Sequence, residues 1–437
     1  MKTAPLLASS LMLMACGDPE GPAPSKPTPV VIGVSMGASG RLASIVQPLR
    51  QAIQLAERQV NANGGIAGGR TVSFNIVDDS SSDNAEVLSR TFGGLFANKA
   101  IAAIGPVGSS QVSALGALIS GNNYLTISPS ATLPELTANG SFGGNFFRTA
   151  PSDTLQVKAL VNILKNGPTN NFGGTSTTCK KLGILYTNES YPIGLAVALE
   201  TAWKAESGTT VFKVDPPPAD NAVSDFSNAI SQLEAAAPDC LAVLAYQPAA
   251  SAFLRALAPK PLFTALKLRL GPEALYTDTF VAAANDGVLS GPLPAENFVG
   301  AAPVTNPERQ AYRDFLLVLS AQDPALAARP NIDYPYFTAA YDAAVLLAMA
   351  AHQSNGAGGS ALRDALLAVS KGGTGYTPVL LPDALRAISR GEDIDYDGAS
   401  GPCDFDAKGD VTSDYAVWRV ESSKRIIKRT IAAKDVQ

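Results

Sequence analysis

The sequence predicts an α/β protein made of two doubly wound domains, in which parallel sheets are covered by helices on both faces. Three observations predict this class. Short apolar segments alternate with amphipathic segments along most of the chain, as parallel strands and crossover helices require. The 437 residues exceed one ordinary hydrophobic core. The composition, 46% hydrophobic and 16% charged, is that of a foldable chain and not of a disordered one.

Strands are predicted where four to seven apolar residues are bounded by Gly, Pro or Asp, because buried parallel strands are apolar on both faces. They are residues 30–36, 71–77, 182–187, 211–214, 241–246, 267–270 and 298–302, and residues 404–431 are also strand-like.

Helices are predicted where apolar residues recur every three or four positions. Leu49, Ile53 and Ala56 form such a face, which ends at glycines, and Leu88 and Phe92 belong to another. The remaining predicted helices are residues 154–165, 194–205, 226–236, 250–257, 307–320 and 334–351, with an exposed loop at residues 166–178.

Residues 101–136 contain two successive strand-turn-helix units, and small hydroxyl residues follow each strand. Ser109 and Ser110 follow the first strand, and Ser130 and Thr132 follow the second. Since ligands of open parallel sheets bind at the carboxyl ends of the strands, where helix N-termini present free N–H groups, the two turns predict a cradle for an anionic group such as a carboxylate. Simple capping of the helices is the alternative role for each hydroxyl.

Charge and histidine content exclude several classes of function. A formal net charge of −5 without a basic stripe argues against nucleic-acid binding. The single histidine, His352, ends an apolar helical segment, where we expect a dipole-stabilised residue and not a catalyst. Histidine-based triads and histidine-rich metal sites are therefore not expected, and we predict no cofactor and no metal.

Three segments resemble known motifs only superficially. The glycines of residues 33–40 lack the G-x-G-x-x-G spacing of a dinucleotide loop. The acidic residues around 393–397 lack the order of an EF-hand, so solvated turns are favoured over calcium. Residues 105–109 lack the G-x-S-x-G of a hydrolase elbow, and no histidine is placed to act as base.

The N-terminus has the pattern of an export signal. Lys2 precedes an apolar segment, residues 6–15, that is too short to span a bilayer. Residues 13–16, Leu-Met-Ala-Cys, resemble the lipobox of bacterial lipoproteins, so residues 1–16 are predicted to be a lipoprotein signal with Cys16 as the lipidated residue. Residues 17–29 are rich in Pro and Gly and are expected to tether the lipid to the folded chain.

Three further cysteines are available for disulfides in an exported protein. Cys179 and Cys240 each stand immediately before a predicted strand, and the two strands would be neighbours in a doubly wound sheet. We therefore predict a disulfide between Cys179 and Cys240, with Cys403 free.

Two residues end strands of the second half of the chain. Glu273 follows a predicted central strand and is either a helix N-cap or a partner for a cationic ligand group. Tyr246 also ends a strand and lines whatever cleft forms there.

In order along the chain, these segments resemble the periplasmic substrate-binding proteins of ABC importers for branched-chain amino acids, the leucine/isoleucine/valine-binding family. The resemblance covers residues 30 to about 420 and is carried by NANGGIAG (61–68), Asp78-Asp79, Ile104-Gly105, Gly108-Ser109-Ser110, SPSAT (128–132), Pro134-Glu135-Leu136, Phe147-Arg148-Thr149, Tyr186-Thr187-Asn188, Tyr191, Tyr246-Gln247-Pro248, Gly271-Pro272-Glu273 and GPCDFDAKG (401–409).

The resemblance implies a type I periplasmic binding protein fold, in which two doubly wound parallel-sheet lobes are joined by a three-crossover hinge and close on a ligand. It places lobe I at residues 30–148 and 304–398 and lobe II at residues 149–303 and 399–437. It implies a solute-binding lipoprotein, not an enzyme, that is monomeric, stays on the periplasmic side of a bacterial membrane and delivers a small amino acid to ABC permease subunits. A sensory protein, or a binder of an amide or aromatic acid, is the alternative.

The resemblance also implies a ligand site. In the family, the ligand carboxylate and ammonium are held by residues that match Ser109, Ser130, Ala131 and Thr132 in the first lobe and Tyr246 and Glu273 in the second. Hydroxyl and N–H groups suit a carboxylate, whereas carbonyls, the Thr132 hydroxyl and Glu273 accept hydrogen bonds from an ammonium. Tyr191 and Tyr336 match residues that line the side-chain pocket, and Ile45 stands where branched-chain binders have an aromatic residue.

Overall fold

The computed structural model describes residues 27–40, 42–138, 140, 142–166, 179–207, 210–213, 225–304, 306–328 and 336–436. The predicted signal with Cys16, most of the predicted tether, and residues 167–178 of the predicted loop lie outside the described residues. Within the described ranges, no helix combines the length and the apolar character needed to cross a bilayer.

Strands and helices alternate along the chain much as the apolar pattern predicts. The strands are β1 (Val30–Ser35), β2 (Val72–Val77), β3 (Ala100–Ile104), β4 (Thr126–Ser128), β5 (Phe146–Arg148), β6 (Lys181–Tyr186), β7 (Thr210–Lys213), β8 (Cys240–Leu244), β9 (Leu268–Gly271), β10 (Val299–Pro303), β11 (Thr374–Tyr376), β12 (Ile394–Tyr396), β13 (Tyr415–Glu421) and β14 (Lys424–Ile431).

The helices are α1 (Ala43–Ala62), α2 (Ala85–Ala97), α3 (Ser109–Ala114), α4 (Gly116–Asn122), α5 (Glu135–Ala138), α6 (Asp153–Asn166), α7 (Ser190–Ser207), α8 (Ser227–Ala236), α9 (Gln247–Leu257), α10 (Pro261–Ala265), α11 (Asp278–Asn285), α12 (Gln310–Gln322), α13 (Pro324–Ala327), α14 (Phe337–Gln353), α15 (Gly359–Ser370), α16 (Leu381–Ser389) and α17 (Ala433–Val436). Short 3₁₀ turns lie at Ala67–Gly69, Glu273–Leu275 and Pro378–Leu380.

The first sheet is parallel and has the strand order β2-β1-β3-β4-β5. Alternate residues of β1 point to opposite faces, so Ile32 packs with α1 and α14 while Val31 packs with α2. Helices thus cover both faces, which confirms the predicted doubly wound arrangement. We call this sheet, with the helices packed on it, the first lobe.

The second sheet has the order β14-β13-β10-β9-β8-β6-β7, and two separate apolar clusters cover its faces. Strands β6 to β10 are parallel, whereas β13 pairs antiparallel with both β10 and β14. The sequence predicted strand character for this last segment but not its direction. Ser422 and Ser423, both at positive φ (52° and 59°), make the tight turn that reverses the chain. We call this sheet, with its helices, the second lobe.

The chain passes between the lobes three times. It leaves the first sheet after β5, returns after β10 to α12, whose Phe315 lies in the core of the first lobe, and leaves again before β13. Phe405 and Val411 still pack in that first core, whereas Tyr415 belongs to the second. The lobe boundaries at residues 148, 303 and 398 remain predictions.

The predicted disulfide is not formed: Cys179, Cys240 and Cys403 are free and buried. The reasoning from adjacency was correct, because β6 and β8 pair and the Cys179 and Cys240 sulfur atoms lie within 4.8 Å of each other. Neighbouring strand ends bring sulfurs together, but the bond itself needs oxidation. A hydrogen bond with Cys179 and then burial raise the pKa of Cys240, which disfavours the reactive thiolate.

His352 lies in the last turn of α14, as expected, but its charge state differs from the expectation. Its Nε2 lies 2.8 Å from the Ser389 hydroxyl oxygen. Burial lowers the pKa of His352, which favours the neutral imidazole. His352 is thus a partly buried, hydrogen-bonded residue at the end of α14.

Candidate ligand-binding cleft

The two hydroxyl-rich turns lie side by side because β3 and β4 are adjacent parallel strands. Gly105 follows β3 directly and has φ of +91°. A Cβ at this position would lie 2.2 Å from the backbone oxygen of Ser35, so only glycine fits. The turn can therefore bend sharply away from the sheet edge and bring Ser109 to the N-terminus of α3.

Hydrogen bonds join the two turns into one rigid wall. The hydroxyls of Ser128 and Ser130 donate to backbone carbonyls of the first turn, at 2.7 and 3.0 Å. In return, the backbone N–H of Leu133 donates to the Ser109 hydroxyl at 3.3 Å. These hydrogen bonds hold the two turns in one arrangement, and such preorganisation lowers the entropic cost of binding.

Thr132 connects this wall to the second lobe. Its hydroxyl donates to Asp153 Oδ2 at 3.0 Å, and the backbone N–H of Asp153 donates to the Thr132 carbonyl at 2.9 Å. Asp153 is the first residue of α6, a helix of the second lobe. The sequence did not single it out, because an acidic residue in the first turn of a helix is common and needs no partner elsewhere.

Glu273 follows β9, the central strand of the second sheet, as predicted. Only 3% of the residue is exposed. The Tyr191 hydroxyl donates to both carboxylate oxygens, at 2.9 and 2.8 Å, and Gln156 Nε2 donates to Oε2. The 3₁₀ turn that begins at Glu273 orients the carboxylate toward Tyr191 and Gln156, the second of which sequence reasoning missed.

The site is strongly acidic. Burial raises the pKa of Asp153 well above its ordinary value, and the nearby charge of Glu273 adds to the effect. Burial also raises the pKa of Glu273, although its hydrogen bonds from Gln156 and Tyr191 act in the opposite direction. For Tyr191 and Tyr336, burial and then the Glu273 charge raise the pKa of the hydroxyl. Such an environment favours a ligand that brings positive charge.

A cavity lies between the lobes and contains about 630 Å³ of unoccupied space, part of it open to solvent. It is lined by eight of the nine residues predicted for the ligand site, namely Ile45, Ser109, Ser130, Thr132, Tyr191, Tyr246, Glu273 and Tyr336. Leu42, Val107, Gln247, Pro248, Ala274 and Thr277 complete the lining. None of these lining residues is Lys or Arg.

Ala131 does not line this cavity. It is fully buried, its N–H donates to the Ser128 hydroxyl at 3.1 Å, and its carbonyl accepts a hydrogen bond from Arg148 at 3.3 Å. Arg148 also donates to the Leu133 carbonyl at 2.9 Å and pairs with Asp410 at 2.7 Å. Ala131 thus stabilises the hydroxyl-rich turn through its backbone and faces away from the cavity. Its place in the sequence between Ser130 and Thr132 did not indicate this role.

A second cavity, of about 590 Å³ and also partly open, lies where the chain passes between the lobes. Residues of all three crossings line it, among them Thr149, Val304 and Gly401. Tyr336, which has φ of +72°, lines both cavities. The hinge and the cleft therefore share one side chain.

Comparisons with known proteins agree with this architecture. Residues 48–423 match the family described as "Receptor family ligand binding region". The chemotactic signal transduction system substrate-binding protein BasB of Halobacterium salinarum is 25% identical over 397 residues, 89% of this chain and 86% of that protein.

Solved structures show the same fold. LivJ of Streptococcus pneumoniae, a branched-chain amino acid transporter substrate-binding protein in complex with isoleucine, is 20% identical, with a TM-score of 0.70 over 92% of this chain and 99% of that one. An ABC transporter solute-binding protein of R. palustris in complex with 4-hydroxybenzoate is 17% identical, with a TM-score of 0.70 over 94% and 98%.

Family and fold are thus those of solute-binding proteins and not of enzymes. The chain belongs to the receptor ligand-binding-region family and has the fold of type I periplasmic binding proteins.

Proposed function

We propose that the protein is an extracytoplasmic solute-binding lipoprotein that captures a small amino acid between its lobes and delivers it to an ABC permease. One observation carries the proposal. Three hydroxyl residues of the first lobe, Ser109, Ser130 and Thr132, line the same cavity as the buried residue Glu273 of the second lobe. These groups complement the carboxylate and the ammonium of one α-amino acid.

The rest of the cavity suits an apolar side chain of modest size. Leu42, Ile45 and Val107 contribute aliphatic surface, and Tyr246 contributes an aromatic face. Because Ile45 is smaller than an aromatic residue, we expect more room here than in branched-chain binders. A branched-chain or related amino acid is the ligand that we propose.

Capture and delivery of a ligand require an open and a closed arrangement of the two lobes. A ligand that touches both lobes binds the closed form more tightly and shifts the population toward it. We propose that the closed form is recognised by the permease while lipidated Cys16 and the Pro/Gly-rich residues 17–29 keep the protein, as a monomer, near the membrane. The lipobox pattern supports the anchor.

A sensory role is the second candidate. BasB, the relative that spans most of this chain, is named as part of a chemotactic signal transduction system. In that case the closed form would contact a receptor and not a permease. Pull-down of each candidate membrane partner, with and without ligand, separates the two roles, because only the true partner should prefer the liganded form.

Aromatic acids are the competing ligand class, since a neighbour of this fold binds 4-hydroxybenzoate. Two buried carboxyl groups, without Lys or Arg in the lining of the cavity, argue against an anionic ligand that lacks an ammonium.

A thermal-shift screen of the purified protein against amino acids, amides and aromatic acids tests the ligand class. A tight ligand at 100 times its dissociation constant should stabilise the protein by about 2.7 kcal/mol. Shifts with aromatic acids, and none with amino acids, would contradict the proposal.

Calorimetry of Glu273→Ala then tests the clamp. We expect at least about tenfold weaker binding of the cognate amino acid, because truncating a buried charged partner costs a few kcal/mol. Glu234→Ala, at an exposed position on α8, is the matched control and should bind as the wild type does. Unchanged affinity of Glu273→Ala would refute the role of Glu273.

A further inference from the structure

Gln156 is a buried amide in the first turn of α6, next to the ligand cavity but not in its lining. Only 1% of the residue is exposed. Its Nε2 donates to Glu273 Oε2 and, at 3.4 Å, to the backbone carbonyl of Ala301. Its Oε1 has no hydrogen-bond partner among the described residues. Since Glu273 lines the cavity and Gln156 does not, Gln156 reaches a ligand through Glu273.

Helix α6 holds this amide at the ends of two neighbouring strands. Val157 and Leu160 of α6 pack in the same apolar cluster as Ala301. Strands β9 and β10 are parallel neighbours, so Glu273, just after β9, and Ala301, within β10, come close enough for one amide nitrogen to contact both. All of these elements belong to the second lobe, so the contact needs no residue of the first.

The surroundings determine which end of the Gln156 amide faces Glu273. An amide has a donor end, Nε2, and an acceptor end, Oε1. Both atoms that Nε2 contacts, a carboxylate oxygen and a backbone carbonyl oxygen, are acceptors. With the amide turned round, Oε1 would meet two acceptors and would be repelled. The donor end therefore faces Glu273, although this leaves Oε1 buried without a donor, which costs free energy.

This arrangement leaves Glu273 able to bind a cationic group. An ionised carboxylate offers about four lone-pair positions. The Tyr191 hydroxyl shares its single hydrogen between the two oxygens, and Gln156 occupies one position on Oε2. Acceptor positions thus remain for a ligand. A donor to a carboxylate oxygen favours the ionised carboxyl group, and only the ionised form attracts an ammonium by its charge.

We propose that Gln156 is a positioning residue, which holds the Glu273 carboxylate in one orientation, favours its ionised form and so restricts the site to ligands that carry an ammonium. The inference rests on the proposed function and adds the residue that sets its charge selectivity. A ligand without an ammonium would leave the charge of the buried Glu273 unpaired. Burial raises the pKa of Glu273, and the hydrogen bond from Gln156 is the largest of the effects that oppose this rise.

A double-mutant cycle without ligand tests the contact. Thermal unfolding is measured for the wild type, Gln156→Met, Glu273→Ala and the double variant. Methionine is flexible and unbranched like glutamine but has no donor. At about pH 8, Gln156→Met should lower the melting temperature of the wild type by about 2–4 °C, because the carboxylate loses its donor, but should not lower that of Glu273→Ala. Equal shifts in the two backgrounds would overturn the proposal.

Leu160→Met is the matched control. It is a volume-conserving change at a fully buried position of the same helix, and Leu160 does not line the cavity. It should shift the melting temperature equally in the wild type and in Glu273→Ala, and it should leave ligand affinity unchanged.

The same four proteins are then titrated calorimetrically with the amino acid that gives the largest thermal shift of the wild type. Gln156→Met should bind about tenfold more weakly than the wild type, because a hydrogen bond to a charged group is lost, and should weaken Glu273→Ala no further. Wild-type affinity of Gln156→Met, or equal weakening in both backgrounds, would overturn the proposal. If no amino acid binds the wild type, the proposed function fails, whereas the ligand-free cycle still decides whether Gln156 acts through Glu273.

The pH dependence of binding separates positioning from packing. Loss of the donor should raise the pKa of Glu273 further, so the affinity of Gln156→Met should fall at a higher pH than that of the wild type as the pH is lowered from about 8 to about 5. The other titratable groups that face Glu273 are unchanged in the variant, namely Asp153 of α6, Tyr191 of α7, Tyr336 before α14 and Tyr415 of β13. A purely structural role would weaken binding by the same factor at every pH, and that result would overturn the proposal.

Discussion

Glu273 is a buried carboxyl group whose ionisation costs stability. Burial raises its pKa above the ordinary value of 4.5, so the folded protein holds a proton there that the unfolded chain has already lost. Where the folded state binds more protons, the free energy of unfolding falls as the pH rises. This loss of stability occurs over the pH range between the ordinary pKa of the Glu273 carboxyl group and its raised pKa in the folded protein. The ligand-free protein is therefore less stable at neutral pH than its core alone would make it.

Glu273→Gln should remove this cost. We expect the variant to melt at the same temperature as the wild type at about pH 4, and about 2–4 °C higher than the wild type at a pH above the raised pKa of Glu273, where only the wild type carries a buried charge. Thermal unfolding of the two ligand-free proteins measures the difference in melting temperature at each pH. Glu234→Gln, at an exposed site, serves as control and should not change the pH dependence. A lower melting temperature of Glu273→Gln at that higher pH would contradict the assignment.

At the residue scale, the sequence predicted the side chains that end strands. Ser109, Thr132 and Glu273 each follow an apolar run, and the carboxyl ends of parallel strands meet at one edge. It did not predict Asp153 and Gln156, whose partners lie 21 and 117 residues away along the chain. Nothing local to α6 indicates that its first turn faces the cleft.

The turn after β3 depends on one glycine. Gly105 has a φ of +91°, and a Cβ added to it would lie 2.2 Å from the backbone oxygen of Ser35. Since that oxygen is backbone, it cannot move aside without shifting β1. The geometry of the whole hydroxyl wall follows from this position.

Gly105→Ala should therefore destabilise the protein by about 2–4 kcal/mol and weaken ligand binding. Gly93→Ala is the matched control: Gly93 lies inside α2, and a Cβ there meets nothing within 4 Å. We expect Gly93→Ala to stabilise by up to about 1 kcal/mol, since alanine is the better helix former. Chemical denaturation gives the free energy of unfolding of both variants. If Gly105→Ala were as stable as the wild type, the steric reasoning would be refuted.

At the element scale, apolar periodicity predicted most strands and helices of the two sheets but missed several short elements. Helices α10, α15 and α16 and strands β11 and β12 were not predicted. Of these elements, α15, α16 and β12 pack against α14 or against each other, as the burial of Leu362, Leu385 and Tyr396 indicates, whereas α10 packs in the core of the second lobe. Local propensity alone does not specify such segments.

At the scale of the whole molecule, the two lobes meet closely beside the cavity. A Cβ on Gly194 of α7, in the second lobe, would lie 2.3 Å from Leu133 Cδ1 of the first. Thr149 and Asp342 tie the crossings to α14 of the first lobe. The Thr149 hydroxyl donates to the Ala339 carbonyl at 2.8 Å, and Asp342 accepts hydrogen bonds from the backbone of residues 399 and 400. Close packing at Gly194 indicates a closed arrangement.

Gly194→Val should hinder closure without unfolding either lobe. We expect about tenfold weaker ligand binding, because the closed state becomes less favourable, and a melting temperature close to that of the ligand-free wild type. Small-angle X-ray scattering with ligand should give a larger radius of gyration than for the liganded wild type. Val197→Ala, on the exposed side of the same helix, should close normally. If liganded Gly194→Val had the same radius of gyration as the liganded wild type, the contact at Gly194 would not control closure.

The sequence by itself determined the α/β class, the doubly wound sheets and the strand-end residues of the cleft, because apolar periodicity and turn chemistry are local properties of the chain. Only the tertiary structure decided the antiparallel direction of β13 and β14 and the burial of Asp153 and Glu273. Each of these depends on which distant residues come together and on how much water they lose, and both are set by the packing of the two lobes.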